Sequence, residues 1–229
     1  MIQEKLKKQA GIEAAKYIRN GMIIGLGTGS TTTYMISELS RRIKEENLKI
    51  TGITTSKATS KQAKKLKIPL KSIDEVEHID LTIDGADEIA NDFQGIKGGG
   101  GALLFEKIVA RYSKKYFWII DESKLVKQLG AFPLPVEVIK YGSKQLYHLL
   151  KNKGYNPQFR TTNDNERFIT DNGNYIIDLN LKVIKNPIDL GKELNNLVGI
   201  VEHGLFLNMV DKVILGTKNG PKTIQKTHI

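Results

Sequence analysis

The sequence of 229 residues has no cysteine, which excludes a disulfide framework, a thiolate metal site and a cysteine nucleophile. It also has no apolar run that approaches the length of a membrane span, about 20 residues. The first residues, Met1 to Lys8, are polar and rich in lysine, so we expect no secretory signal there. A reducing cytoplasm is the simplest location for such a chain, and we predict it.

A dense basic segment is missing too, although the formal net charge is +10. The basic residues are spread over the whole length without interleaved aromatic side chains, which argues against a nucleic-acid partner. A positive field of this kind would help to attract a phosphorylated metabolite. None of the four histidines has a close metal-ligand spacing to another: His78, His148, His203 and His228. We therefore predict neither nucleic acid nor a membrane as a partner.

Alternating strand and helix patterns indicate the fold class. Apolar and charged fractions of 40% and 26% are those of a globular protein, and the length allows a main domain with a smaller one. Strands alternate with helices until two prolines, Pro133 and Pro135, mark a boundary. We predict an α/β fold, with a Rossmann-like, doubly wound, mostly parallel sheet in residues 1–130 and 205–229. A second, smaller α+β domain is predicted for residues 131–204.

Two later segments carry more specific expectations. Arg167 to Thr170 and Tyr175 to Leu179 flank a turn of the sequence Asp-Asn-Gly-Asn, and this pattern predicts a β-hairpin. The apolar segment Val213 to Thr217 is expected to return to the first sheet.

A glycine-rich turn, Gly25 to Thr31, follows the first predicted strand, Met22 to Leu26, and precedes a helix. It lacks the third glycine of the dinucleotide fingerprint and the Lys-Ser/Thr pair of a P-loop. The small backbone and the hydroxyl groups at a helix start suit a phosphate or several sugar hydroxyls. The alternative is an ordinary glycine turn with a Ser/Thr helix cap.

Three carboxylates, Asp84, Asp87 and Glu88, follow the predicted strand His78 to Ile83. Carboxylate oxygens can bind a divalent metal, or they can handle protons and sugar hydroxyls. An acidic surface turn is the third alternative. The second glycine loop, which follows closely in the sequence, favours a functional site.

That second loop, Gly98 to Gly101, lies between Lys97 and a helix pattern that begins near Ala102 and includes Glu106. Four consecutive glycines suit a loop whose backbone approaches a ligand. One cation, one carboxylate and backbone N–H donors at a helix start suit proton transfer on a substrate that develops negative charge on oxygen. An ordinary flexible loop before a solvated helix is the alternative.

Taken together, these motifs resemble those of the type A ribose-5-phosphate isomerase family in order and approximate spacing. The resemblance covers nearly the whole chain. It rests on six segments: Gly25 to Thr31, Asp84 to Glu88, Lys97 to Ala102 with Glu106, Phe132 to Glu137, Thr170 to Asn174 and Glu202 to Phe206.

The resemblance implies an enzyme that interconverts D-ribose 5-phosphate and D-ribulose 5-phosphate without a cofactor or metal, in the non-oxidative pentose phosphate pathway. It implies Glu106 as the base, Asp84 and Asp87 as sugar-handling carboxylates and Lys97 as the cation near the reacting oxygens. Substrate and phosphate contacts are implied at Lys7, Thr28, Gly29, Ser30, Thr31, Gly85, Ala86, Gly98, Gly99, Gly100 and Lys124. The chain is expected to form a homodimer or homotetramer.

Two other classes of protein are alternatives. A sugar-phosphate-sensing domain of a transcription regulator would keep the glycine loops but lack a base at Glu106. An acyl-CoA transferase of related fold would use a glutamate as nucleophile. Incubation with ribose 5-phosphate separates these classes, because only the isomerase produces ribulose 5-phosphate.

Overall fold

The structure is a computed structural model that describes residues 2–225 and has a mixed α/β architecture. No helix in that range is both long and apolar enough to cross a membrane. The α-helices are α1 (Ile2–Ala15), α2 (Ser30–Glu45), α3 (Lys57–Lys65), α4 (Leu103–Arg111), α5 (Ser143–Asn152) and α6 (Pro187–Asn195). The strands are β1 (Ile23–Leu26), β2 (Thr51–Thr54), β3 (Leu81–Asp84), β4 (Glu88–Ala90), β5 (Gly95–Ile96), β6 (Tyr116–Asp121), β7 (Leu125–Val126), β8 (Leu134–Val138), β9 (Pro157–Phe159), β10 (Tyr175–Leu179), β11 (Ile200–His203), β12 (Leu205–Phe206), β13 (Lys212–Thr217) and β14 (Gly220–Gln225).

The chain divides into two compact units. The first comprises Met1–Ala86, Phe105–Leu125 and Met209–Ile229, and the second comprises Asp87–Leu104 and Val126–Asn208. The second unit takes in residues 126–130 and 205–208, which the predicted first domain includes, and also the segment Asp87–Leu104. The segment contains β4 and β5, which pair with each other and, through β5, with β12. Its backbone hydrogen bonds therefore belong to the second unit.

The first unit contains a six-stranded sheet in the order β14-β13-β6-β3-β1-β2. All its neighbouring strands are parallel except the pair β13 and β14. The predicted α/β fold with a mostly parallel sheet is confirmed. The expectation for Val213 to Thr217 is confirmed too, because β13 pairs in parallel with β6.

Apolar side chains explain why these strands are central. Strand β6 is buried along its whole length, as expected for a parallel strand with both faces covered. Helices α1 and α2 pack on the sheet through small and aliphatic side chains that form the main core with the strands. Members of this core include Ala10, Ala14, Met35, Ile36, Leu39, Ile24, Leu26, Ile83, Ile119 and Ile214.

The parallel order brings several strand ends to one edge of the sheet. Strands β1, β3 and β6 run in the same direction, so the residues after Leu26, Asp84 and Asp121 all leave this carboxyl edge. Helix α4 precedes β6 and must bring the chain back to the opposite edge. Its first turn, which contains Glu106, therefore starts at the carboxyl edge, where α/β folds bind ligands.

The second unit has its own sheets and core. Strands β11, β8, β10 and β9 form an antiparallel sheet, and β12, β5, β4 and β7 form a smaller one. The hairpin prediction was wrong in one arm. Arg167 makes only an isolated bridge to Thr161, and β10 pairs with β8 and β9 instead. The residue before the turn, Thr170, is held in the interior of the second unit, where its hydroxyl donates to the buried Glu137 carboxylate at 2.8 Å.

The close approach of α1 to β13 gives a stability prediction. A methyl group added at Gly216 would lie 1.9 Å from the Leu6 carbonyl oxygen, so α1 or β13 would have to move. Overpacking a core costs about 1–3 kcal/mol. Since Tm changes by roughly 2–4 °C per kcal/mol in a chain of this size, Gly216→Ala should lower Tm by roughly 2–12 °C in a calorimetric melt.

Gly52→Ala is the matched control in the same sheet. Its methyl would meet the ends of the Leu26 and Leu70 side chains at 2.9 Å, and these ends can move. A smaller loss is expected, and equal losses for the two variants would contradict the assignment of strain to the α1 backbone.

Candidate active site

Asp84, the last residue of β3, is a fully buried carboxylate that accepts hydrogen bonds from backbone N–H groups and from a phenol. Its Oδ1 accepts from the backbone N–H groups of Thr28 at 3.0 Å and Gly85 at 2.8 Å. The Tyr116 hydroxyl donates to Oδ2 at 3.3 Å. A buried charge is tolerated only when donors of this kind offset it. The carboxylate is therefore held in one orientation at the carboxyl edge of the first sheet.

Gly27, in the turn after β1, leaves the space that the Asp84 carboxylate occupies. A methyl group at Gly27 would lie 2.2 Å from Asp84 Oδ1 and 2.5 Å from its Cα, so no other residue fits there without displacing β3. The Gly27 N–H donates to the Ile83 carbonyl at 3.0 Å, which keeps the turn against that strand. The neighbouring Gly85 and Ala86 are half-buried.

Tyr116 is a site residue that the sequence analysis missed. Its side chain is buried at the start of β6 and packs edge-on against the Trp118 ring. Burial, followed by the negative charges of Asp84 and Glu106, raises the pKa of Tyr116 well above its ordinary value. The phenol therefore stays protonated and remains a donor. The proximity of Tyr116 to Asp84 depends on the register of β3 and β6, which pairs Asp84 with Trp118. The sequence gives no direct signal of that register.

Glu106 lies in the first turn of α4 and is 4% exposed. A negative charge is favoured at a helix N-terminus by the backbone dipoles. Its charge acts on Tyr116, as does the charge of Asp84, so these three groups of the first unit share one electrostatic environment. The structure thus brings the predicted base close to one of the two predicted sugar-handling carboxylates.

The start of α2 has the form expected of an anion site. Gly29 precedes the helix with φ 124° and ψ 173°, and no side chain caps the helix. The hydroxyls of Thr32 and Thr33 donate to the Gly29 carbonyl, at 2.7 Å and 3.2 Å. Ser30 is exposed at the first helical position and Thr31 is buried. The Ser/Thr cap considered from the sequence is absent from this helix start, whose first N–H groups suit a phosphate.

Thr28 is engaged inside the first unit in a way that the sequence did not indicate. Its hydroxyl pairs with the hydroxyl of Thr55 at 2.7 Å and donates to Ser56 Oγ at 2.8 Å. Its N–H goes to Asp84. Thr28 therefore links the ends of β1, β2 and β3, and its expected contact with the phosphate stays a prediction.

The two expected phosphate lysines both lie near the end of β6. Lys124 belongs to a short 3₁₀ helix directly after β6, and the Asp121 carboxylate caps this helix by accepting from Ser123 N at 3.1 Å. Gln3 of α1 donates to the other oxygen of Asp121 at 3.4 Å. Lys7 lies one turn further along the same face of α1 and pairs with Glu4 at 3.1 Å.

Within the second unit, the other predicted carboxylate is held by the glycine loop. The Gly99 N–H donates to Asp87 Oδ2 at 2.8 Å, and a methyl at Gly99 would lie 2.7 Å from Asp87 Oδ1. The Gly101 N–H donates to the Gly98 carbonyl at 3.0 Å. These two N–H groups are therefore used within the loop, and the expected contribution of the loop's backbone donors to the site stays a prediction. Gly100 lies exposed between them.

Lys97 is 2% exposed although it is a cation. Its backbone N–H donates to the Gly204 carbonyl at 2.9 Å. Its Nζ lies 5.4 Å from the centroid of the Phe206 ring, a cation–π distance. A cation held away from water acts more strongly on nearby charge than an exposed one.

Glu88 has a structural role. Its carboxylate accepts from the N–H groups of Gly130 at 2.8 Å and Phe132 at 2.6 Å, and so fixes the loop before β8. In the part of the chain from residue 2 to residue 225, no group of three or more His, Asp or Glu side chains is placed to hold a metal ion. The Glu88 carboxylate is therefore used in the hydrogen bonds of this loop.

A parallel sheet whose carboxyl edge carries two buried carboxylates and an uncapped helix start has the features of an α/β enzyme that binds a small anionic substrate. Comparison with known proteins narrows this class. The family model for ribose 5-phosphate isomerase A (phosphoriboisomerase A) matches residues 51–220. The ribose-5-phosphate isomerase A of Enterococcus faecalis is 65% identical over 219 residues, which cover 96% of this chain and 97% of that protein.

Solved structures agree. Ribose 5-phosphate isomerase A from Methanocaldococcus jannaschii superposes with a TM-score of 0.93 at 45% identity, covering 97% of this chain and 99% of that one. A D-ribose-5-phosphate isomerase in complex with phospho-erythronic acid superposes with a TM-score of 0.95 at 39% identity, covering 99% and 100%. The chain belongs to the ribose 5-phosphate isomerase A family, and the resemblance seen in the sequence is confirmed.

The Tyr116–Asp84 contact gives a prediction. Tyr116→Phe keeps the ring and removes one donor from a buried carboxylate, a hydrogen bond worth about 1.5–3 kcal/mol. If that carboxylate serves the reaction, kcat/KM in an isomerase assay should fall by about 10- to 100-fold.

Tyr155→Phe is the matched control. It removes a similar phenol–carboxylate bond, from Tyr155 to Glu193 at 2.6 Å, in the second unit. This control should leave kcat/KM unchanged. Equal effects of the two variants would show that Tyr116 has no special link to the reaction.

Proposed function

We propose that this chain interconverts D-ribose 5-phosphate and D-ribulose 5-phosphate through an enediolate, with Glu106 as the base. The observation that carries the proposal is the presence of two buried carboxylates, Glu106 and Asp84, in the first unit, where the charges of both act on the buried Tyr116. Family membership supports the same reaction. Its place in metabolism is the non-oxidative branch of the pentose phosphate pathway.

The reaction moves one proton from C2 of the aldose to C1 of the ketose. Glu106 removes the C2 proton, and the electron pair left on carbon forms the C1–C2 double bond of the enediolate while negative charge develops on O1. The same carboxyl group then returns the proton to C1 on the same face. The proton on O2 passes to O1 by way of a second group, and Asp84 and Asp87 are the candidates.

Asp84 suits this second role because its position is fixed. Backbone N–H groups hold Oδ1 and the Tyr116 hydroxyl holds Oδ2, so the carboxylate keeps one orientation while it accepts the proton from O2 and passes it to O1. Asp87 is half-buried, and its Oδ2 accepts from the Gly99 N–H. We assign ring opening and proton transfer between the oxygens to these two carboxylates jointly.

Lys97 is proposed to stabilise the enediolate. A buried cation already has a fixed position, so little reorganisation of the site is needed when negative charge develops on a nearby oxygen. Its low exposure and its ring contact with Phe206 support this role, because both keep the ammonium group in a fixed place.

The phosphate group is proposed to bind at the start of α2, with Ser30 and Thr31, and to Lys124 and Lys7. The uncapped helix start and the position of both lysines near the end of β6 support this assignment. Binding energy from a remote phosphate can be used to position the reacting carbons.

The two alternative classes of protein, the oligomeric state and the cellular location are considered in turn. The sensing domain and the acyl-CoA transferase are disfavoured by family membership. The homodimer or homotetramer stays a prediction. We propose that subunits in such an oligomer contact each other through a cluster of exposed apolar side chains in the second unit: Ile139, Tyr141, Leu149 and Val198. The cytoplasmic location, and the expectation that neither nucleic acid nor a membrane is a partner, also stay predictions.

Glu106→Gln tests the base. The amide keeps the shape of the side chain but cannot accept the C2 proton, so kcat should fall by roughly 10²–10⁴-fold with a modest change in KM. Glu46→Gln, on the surface where Glu46 pairs with Arg42, is the control and should keep full activity. If the Glu106→Gln enzyme retained most of the kcat of the unmodified enzyme, this mechanism would be wrong.

Lys124→Ala tests the phosphate site. A charge-assisted contact is worth about 1.5–3 kcal/mol, so kcat/KM for ribose 5-phosphate should drop by about 10- to 100-fold. The rate with free D-ribose, already low, should hardly change. Lys127→Ala, which removes an exposed lysine nearby, serves as the control. Equal losses on both substrates would place the phosphate elsewhere.

A further inference from the structure

The guanidinium group of Arg160 joins the glycine loop, Gly98 to Gly101, to strand β10. Its Nη1 donates to the Gly98 carbonyl at 2.8 Å and to the Gly99 carbonyl at 3.0 Å. Its Nε and Nη2 donate to the two oxygens of Asp178 at 2.9 Å and 2.5 Å. Both side chains are largely buried, with 14% and 19% exposed. One planar group thus links a strand of the second unit to two consecutive loop carbonyls.

This contact clamps the Gly99 residue from both sides. Its carbonyl accepts from Arg160, and its N–H donates to Asp87. A rotation of the backbone at Gly99 would therefore break a bond to a cation and a bond to a carboxylate together. Glycine has more conformational freedom than other residues, and Gly98 has a φ of 100°, so a loop of this composition needs such restraints to keep one shape.

Phe168 restrains the far end of the loop. A methyl group at Gly101 would lie 2.5 Å from the Phe168 ring, so ring and backbone are in close contact there. The Arg160 guanidinium lies 5.8 Å from the centroid of the same ring. Arg160 therefore contacts the loop directly and also the ring that packs against it.

We propose that Arg160, held by Asp178, is a positioning residue for the isomerase reaction. It fixes the Gly98 and Gly99 carbonyls and, through the Gly99 N–H, the orientation of the Asp87 carboxylate. This inference rests on the proposed role of Asp87 in the reaction. A guanidinium is required because only a planar fork can hold a carboxylate with two donors and still reach two carbonyls, whereas an ammonium group acts from one point.

Arg160→Lys is the first test, since it keeps the charge and loses the fork. The expected result is a kcat reduced by about 10- to 100-fold, with KM for ribose 5-phosphate changed by less than about threefold, because the phosphate contacts are assigned to other residues. Arg167→Gln is the matched control. Arg167 lies on the Phe159 ring, 3.3 Å from its centroid, and its removal should change neither parameter.

A double-mutant cycle with Asp87→Asn separates positioning from general damage. If Arg160 acts through Asp87, the double variant should be no slower than Asp87→Asn alone, because the second change removes nothing further. Multiplied losses, or an Arg160→Lys enzyme with normal kcat, would overturn the inference. Full activity of Asp87→Asn would instead refute the proposed role of Asp87, and with it the route by which Arg160 acts.

Asp178→Asn keeps the test decisive if Arg160→Lys does not fold. It leaves the arginine and its carbonyl contacts in place and weakens only the partner that orients the guanidinium. A smaller loss of kcat in the same direction is expected, and this loss too should vanish in the Asp87→Asn background. A loss that persists in that background would count against the proposal.

Discussion

The constraint on which the site depends is the cost of burying a carboxylate. Asp84 is fully buried, so its charge must be met by donors with fixed positions. The Thr28 and Gly85 N–H groups and the Tyr116 hydroxyl supply them. Gly27 has to lack a side chain because the carboxylate occupies the space next to it. The turn after β1, the end of β3 and the start of β6 are thus tied to one charged group.

The second unit has a similar arrangement around a half-buried carboxylate. Asp87 accepts from the Gly99 N–H, and a side chain at Gly99 would meet the carboxylate as one at Gly27 would meet Asp84. In both glycine motifs the glycine permits a close approach between backbone and carboxylate. The flexibility of glycine is then a cost, which in the second loop is offset by the contacts of Arg160 and Phe168.

Local patterns in the sequence predicted much of the fold of the first unit. The return of Val213 to Thr217 to the first sheet was predicted, and the mostly parallel sheet follows from the alternation of strands and helices. The contacts of Tyr116 and Arg160 were not predictable in this way. Each contacts residues far away in the chain, and those contacts depend on strand register and on loop shape. The hairpin prediction was wrong in its first arm for a related reason, because β10 pairs with β8 and β9, which lie far from the turn in the sequence.

The central claim is that the carboxyl edge of the first sheet holds both the phosphate and the reacting carbons. A crystal structure of this protein with phospho-erythronic acid bound tests it most directly. The account predicts the phosphate within hydrogen-bond distance of the Ser30 and Thr31 N–H groups, and the acid group beside Asp84 and Glu106. A phosphate bound away from the start of α2, or a Glu106 carboxylate out of contact with the ligand, would contradict the account.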